Sequence, residues 1–170
     1  MADPTTFDGL FGGCRRSAVH LEMRDGYMRD EPTFIAWSAG RIELDDPDSV
    51  AWRDLVRQAA ARGVQVHRAR IVSEPLSDYT RFEFDITEQH NIAAGEEVRW
   101  LPRRRATNIA LPGNDFWLFD QETALINHFN GVGDWIETEV TTDPSIVKLC
   151  TSAFETVWER AVPHSEYRPT

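Results

Sequence analysis

The sequence predicts an α/β fold, a mixed sheet flanked by helices, and three observations carry that prediction. A capped amphipathic helix runs directly into a β-branched strand between residues 48 and 72, two apolar runs follow with a two-residue turn between them, and a sharply bounded helix closes the pattern. The 170 residues suit one α/β domain spanning 1–170 with a single core. Apolar residues make up 41% of the chain, and nine Phe and six Trp supply large surfaces to bury, so disorder is not expected.

In chain order, Thr5 and Thr6 can cap a first helix in which Phe7, Leu10, Phe11, Cys14, Ala18 and Leu21 recur at helical spacing. Between Gly26 and Asp48 the pattern weakens to a short helix or turn followed by a loop. Asp48 or Ser49 then caps a helix carrying Trp52, Leu55, Val56, Ala59 and Ala60, which Gly63 ends. A strand from Val64 to Val72 follows at once. Beyond Pro75, Ser77 can cap a helix through Tyr79, Phe82, Glu83 and Ile86, but alternation from Thr80 to Ile86 fits a strand equally, so residues 77–94 stay open. EEVRWLP reads as a strand closed by Pro102. DFWLFD and TALINHF, joined by Gln121 and Glu122, read as a hairpin, and residues 135–140 as a further antiparallel strand. Asp143 as N-cap, Pro144 at the first position and Pro163 beyond the end bound the last helix.

A net charge of −10 repels a phosphate backbone, so direct nucleic-acid binding is not expected, and the run Arg103, Arg104, Arg105 reads as a solvated loop. Without an 18-residue apolar run or the charge pattern of a signal peptide, the expectation is a cytoplasmic protein that does not engage the membrane. Cys14 and Cys150 fit apolar helix stripes and read as buried thiols in a reducing compartment.

Five histidines lack the spacing of a metal site, and neither a phosphate loop nor a serine-hydrolase elbow is present, so no metal and no cofactor are expected. His128, at a predicted strand end near Gly131 and Gly133, is the one candidate acid or base. Arg70, Glu74, Arg81 and Glu83 bracket the carboxyl end of a strand, where open α/β sheets bind ligands; an ion-pair network holding the turn is the competing reading. Asp115, Phe116, Trp117 and Asp120 offer an aromatic wall with carboxylates at its edge, although core packing is the more ordinary use of a strand in which Trp117 and Phe119 point one way and Phe116 and Leu118 the other.

The segments RIVSEPLSDYTRFEF, AGEEVRWLP, LPGNDFWLFD and DPSIVKLCTSAFETVWERAVPHSEY, with FDGLFGGCRRSAVHLEMRDGY before them, resemble a domain-of-unknown-function family common in actinobacteria. That resemblance implies a companion of helix-turn-helix regulators, an association of gene neighbourhood. More distantly, AAARGVQVHRARIV, LFDQETALINHF and AFETVWERAVP resemble half of a phospholipase D-like domain, here with an added N-terminal helix. The catalytic motif of that family has Lys two residues after His and Asp five residues after the Lys. Here His128 is followed by Asn130 and Trp135, and the only Lys in the chain is Lys148, so the resemblance implies a degenerate copy.

Together these readings point to a non-catalytic regulatory or accessory domain that binds a small ligand or a protein partner, such as a helix-turn-helix regulator. The alternative is a small-molecule hydrolase or lyase in which His128 is acid or base and Arg70 or Arg81 holds an anionic substrate.

Overall fold

The hydroxyl of Thr6 accepts the Gly9 amide and starts α1 (Phe7–Gly13), whose apolar side chains Phe7 and Phe11 pack against Trp117. The helix expected to continue to Leu21 ends here, because Gly12 and Gly13 are poor helix formers and Cys14 turns to extended backbone. The next residues form strand β1 (Ser17–Glu22) instead. The structure, a computed structural model, describes residues 5–170; the first residues of the expected 1–170 domain lie outside that range.

A loop leads to α2 (Pro32–Ser38), and Asp46 caps α3 (Pro47–Ala61) by accepting the Ser49 amide. The cap thus lies two residues ahead of the expected Asp48, since Pro47 suits the first helical position, where its missing N–H costs nothing. Strand β2 (Gln65–Val72) follows after a turn at Gly63, whose φ of +85° favours glycine. The open segment resolves as helix α4 (Asp78–His90), with the Ser77 hydroxyl accepting the Thr80 amide. The helix wins over the strand because Tyr79, Phe82 and Ile86 then meet on one face and pack against Phe34 of α2.

Strand β3 (Glu97–Pro102) leads into a short 3-10 turn, Arg103–Arg105. Part of this turn is structural: Arg103 donates to the Ser73 hydroxyl and the Ile71 carbonyl. Strands β4 (Phe116–Phe119) and β5 (Thr123–Phe129) form the expected hairpin, with β6 (Trp135–Thr141) antiparallel beyond it. The hairpin turn is centred on Asp120 and Gln121, both at positive φ. Helix α5 (Pro144–Arg160), capped by Asp143 as expected, and the two-residue β7 (Val162–Pro163) complete the fold.

The sheet has seven strands in the order β6-β5-β4-β1-β2-β3-β7. β1, β2 and β3 run parallel and the remaining pairings are antiparallel, so the sheet is mixed. One face carries Val19, Leu21, Ala69, Ile71, Phe116 and Leu118 against Cys150, Ala153, Phe154 and Val157 of α5. Each Val, Leu, Ile or Phe among them, taken from water to a packed interior, stabilises the fold by about 1.5–3 kcal/mol. On the opposite face, Ala18, Val66, Trp117 and Phe119 pack under α1 and α3. Both cysteines are free and buried, and burial pushes the Cys150 thiol up to about 11.

Candidate functional site

Side chains alternate across a strand, so the residues between those that meet α5 must face the other side. On β1 these are His20 and Glu22, and on β2 they are Arg68 and Arg70; all four are buried. Helices α3 and α4 and the segment 27–33 stand over them without filling the space, leaving a cavity of about 410 Å³. Its walls carry Tyr27, Trp52, Tyr79, Phe82, Phe129 and Trp135, and Asp115 stands at the edge of β4.

The floor is a connected charge network. Glu22 accepts from both Arg68 Nη1 and Arg70 Nε, while Arg68 Nε donates to Glu96 at 2.7 Å and Arg70 Nη1 to the Thr87 hydroxyl at 2.8 Å. Burial alone would raise the Glu22 pKa, yet the adjoining guanidiniums of Arg70 and Arg68 hold it well below the usual carboxylate range. His20 donates from Nδ1 to the Phe116 carbonyl at 2.7 Å, stacks on Trp117 with ring centroids 4.4 Å apart, and sets Nε2 3.2 Å from Glu22.

The surrounding carboxylates are less well compensated. Glu83 is 7% exposed, and among the described residues its carboxylate receives no hydrogen bond; Arg70 Nη2 lies 3.6 Å away. Burial pushes its pKa up to about 8, with Glu22 and Glu31 adding to the rise and Arg70 and Arg68 opposing it. Asp115, also raised by burial, accepts the Met23 amide at 2.9 Å and the Tyr27 hydroxyl. Glu31, raised by burial as well, accepts the Tyr79 hydroxyl at 3.1 Å. His90 leaves a buried Nδ1 without a partner, and burial, reinforced by Arg68, Arg53 and Arg70, depresses its pKa to about 4.

The residues singled out from sequence separate in space. Arg70 and Glu83 line the cavity together. Glu74 instead accepts from the Tyr167 hydroxyl at 2.8 Å and pairs with Arg104, and Arg81 lies exposed on α4 away from the cavity lining. Trp117 is a core residue, 4% exposed, behind His20. Asp120 is at the other end of the sheet, where its carboxylate accepts the backbone amides of Arg15, Arg16 and Ser17 at 2.7–2.9 Å. His128 pairs with Glu139 at 3.1 Å between β5 and β6 and does not line the cavity. The imidazoles at the cavity are therefore His20 and His90. Arg70 has its donors turned toward Glu22, Thr87 and Glu83, which leaves no free fork for an anionic substrate.

Sequence reasoning passed over His20, Glu22, Arg68, Asn91 and Glu96, and took Asp115, which does line the cavity, only as one edge of an aromatic wall. The signal was present: His20 and Glu22, and Arg68 and Arg70, each stand two apart within apolar strands, so their charges share one face. Among the described residues no group of three His, Cys, Asp or Glu side chains could hold a metal ion, and no helix is long and apolar enough to cross a membrane.

Residues 5–169 match the family described as domain of unknown function (DUF6879), and the chain belongs to that family. No curated protein sequence matches it. Among solved structures, the chain is similar to NucT from Helicobacter pylori, at 12% identity and a TM-score of 0.55 over 92% of this chain and 87% of that one. It is also similar to Nuc from Salmonella typhimurium, a phospholipase D family member, at 12% identity and a TM-score of 0.52 over 95% and 88%. These likenesses establish a phospholipase D-like fold and nothing of activity. TrmBL2, an archaeal chromatin protein described by a novel mode of DNA binding, matches at 16% identity and a TM-score of 0.48. That match covers 91% of this chain, which spans about half, 47%, of the chromatin protein's length. The expectation that excluded direct nucleic-acid binding is corrected here, since a protein described by a novel mode of DNA binding stands among the structural neighbours. So distant a likeness assigns no DNA contact to this chain.

Proposed function

We propose that this chain is a small-ligand-binding domain, and that its binding site is the cavity between the β1–β2 face and helices α2, α3 and α4. The observation that carries the reading is an aromatic-walled space of about 410 Å³ over a floor whose arginines are already paired within the protein. A concave site of that volume with a few convergent polar groups is the ordinary form of a small-molecule pocket. The acid or base expected from sequence, His128, stands outside the cavity between β5 and β6 and takes no part in this reading.

The test is thermal stabilisation by a panel of small organic compounds at millimolar concentration. The expected result is at least one compound that raises the melting temperature by about 2 °C or more. The shift should vanish in Met28→Trp, which fills the cavity from its wall, and persist in His128→Ala. No shift across the panel, or a shift that survives Met28→Trp, would overturn the assignment.

A further inference from the structure

Resting on the cavity reading, we infer that the ligand is an organic cation carrying N–H donors on a flat or hydrophobic body. The first ground is charge. Six carboxylates line the cavity (Glu22, Glu31, Asp46, Asp48, Glu83 and Asp115) against two guanidiniums, and both guanidiniums are engaged by Glu22 and Glu96 or Thr87. Of the guanidiniums that line this space neither is free of a partner to meet an anion, whereas a cation would find Glu83 without a hydrogen bond.

The second ground is the balance of donors and acceptors, and it is independent of charge. Asn91 lines the cavity and is 2% exposed. Its amide nitrogen donates to Glu96 at 2.6 Å, which fixes the orientation of the amide and leaves Oδ1 a buried acceptor with no partner. Asp46 Oδ2 is likewise buried and unpartnered beside the same space. A buried acceptor left unmade costs about 1–3 kcal/mol, so a ligand that brings N–H groups recovers what the protein alone forgoes. The third ground is the wall: besides Trp52, over which the Arg68 guanidinium already lies, Tyr27, Tyr79 and Phe82 bring aromatic rings to the cavity, and a cation is attracted to the faces of such rings.

The charged and titratable groups around Glu83 are Glu22 from β1, Arg68 and Arg70 from β2, Glu31 ahead of α2, and Tyr27 and Tyr79 from the wall. A bound cation takes the place of the proton that Glu83 holds below about 8, so binding of a permanently charged cation strengthens as pH rises through that value.

The experiment is calorimetric titration of the full chain at about pH 9 with four probes of similar size: benzamidinium, benzyltrimethylammonium, benzyl alcohol and benzoate. Benzamidinium, with charge and donors, is expected to bind tightest, the quaternary ammonium next, the alcohol more weakly, and benzoate at least about tenfold more weakly than benzamidinium. Glu83→Gln should weaken benzamidinium about tenfold and leave benzyl alcohol unchanged. Benzoate binding as well as benzamidinium, or an unchanged benzamidinium affinity in Glu83→Gln, would overturn the inference. So would a panel in which only neutral or anionic compounds stabilise the protein through the Met28-sensitive cavity, an outcome that leaves the binding site itself standing. Stabilisation by nothing, or stabilisation indifferent to Met28→Trp, would remove the site and this inference together.

Discussion

Glu83→Gln isolates a buried carboxyl group that receives no hydrogen bond among the described residues. Gln has nearly the shape of Glu but cannot titrate, so the difference in stability between wild type and variant reports this one carboxyl. The Glu83 pKa stands at about 8 in the folded protein against an ordinary value of 4.5, because burial disfavours its charged form more than Arg70, 3.6 Å away, favours it. The folded state therefore keeps a proton that the unfolded chain releases, and stability must fall as pH rises from about 4.5 to about 8. Each pH unit in that interval is worth about 1.4 kcal/mol, which sets a ceiling of roughly 4–5 kcal/mol; with the arginines and Glu22 sharing the adjustment, about 2–4 kcal/mol is the expected net. Urea denaturation of both proteins at pH 5, 7 and 9 measures it. The two should be nearly equal at pH 5, and the variant should be the more stable by about 2–4 kcal/mol at pH 9. A difference that does not change with pH would refute the reasoning, as would a variant that loses ground on the alkaline side.

Arg68→Met removes the guanidinium that joins Glu22 to Glu96, leaving two carboxylates buried with less compensation; a loss of about 3–5 kcal/mol by urea denaturation is expected, and a neutral result would mean the network relaxes into solvent. Asp120→Ala removes the acceptor of three backbone amides and places Ala at a φ of 54°, so a loss of about 2–4 kcal/mol is expected, whereas Asp120→Asn, which keeps one oxygen and tolerates that backbone, should lose about half as much. His128→Ala, at an exposed ion pair on the far strands, should leave both ligand affinity and stability within about twofold and 0.5 kcal/mol of wild type; a larger loss of affinity would return His128 to consideration as a functional residue.

The fold was legible where local chemistry and tertiary packing agree. Asp143 followed by Pro144 marks the start of α5 whatever surrounds it, and the helix from α3 turns into β2 at Gly63 because backbone and apolar pattern change together. β1 was misread because Cys14, Ala18 and Leu21 continue the three- and four-residue spacing of α1 past the two glycines that end it. The strand's own alternation is obscured, since the residues interleaved with Val19 and Leu21 are His20 and Glu22, polar side chains that point inward. The same fact hid the site. Charges within a strand read as solvent-facing unless a partner of opposite sign is known to oppose them, and Glu22 meets Arg70 only through the parallel pairing of β1 with β2 across 48 residues of chain. Arg70 and Glu83 were found because both flank a strand end in one short stretch of sequence; Glu96 and Asn91, which were not, reach the cluster from separate elements.

The alternation on β1 and β2 also bears on how the chain finds its register. Sliding either strand by one residue would turn His20 and Glu22, or Arg68 and Arg70, into the dry layer beneath α5, while Val19, Leu21, Ala69 and Ile71 would come to face the cavity. A purely apolar pair of strands, buried on both sides, would have little reason to prefer one pairing over its neighbour. Here four polar side chains make every odd-numbered slip prohibitive, so the cluster that shapes the pocket acts during folding as a proof-reader of the sheet around it.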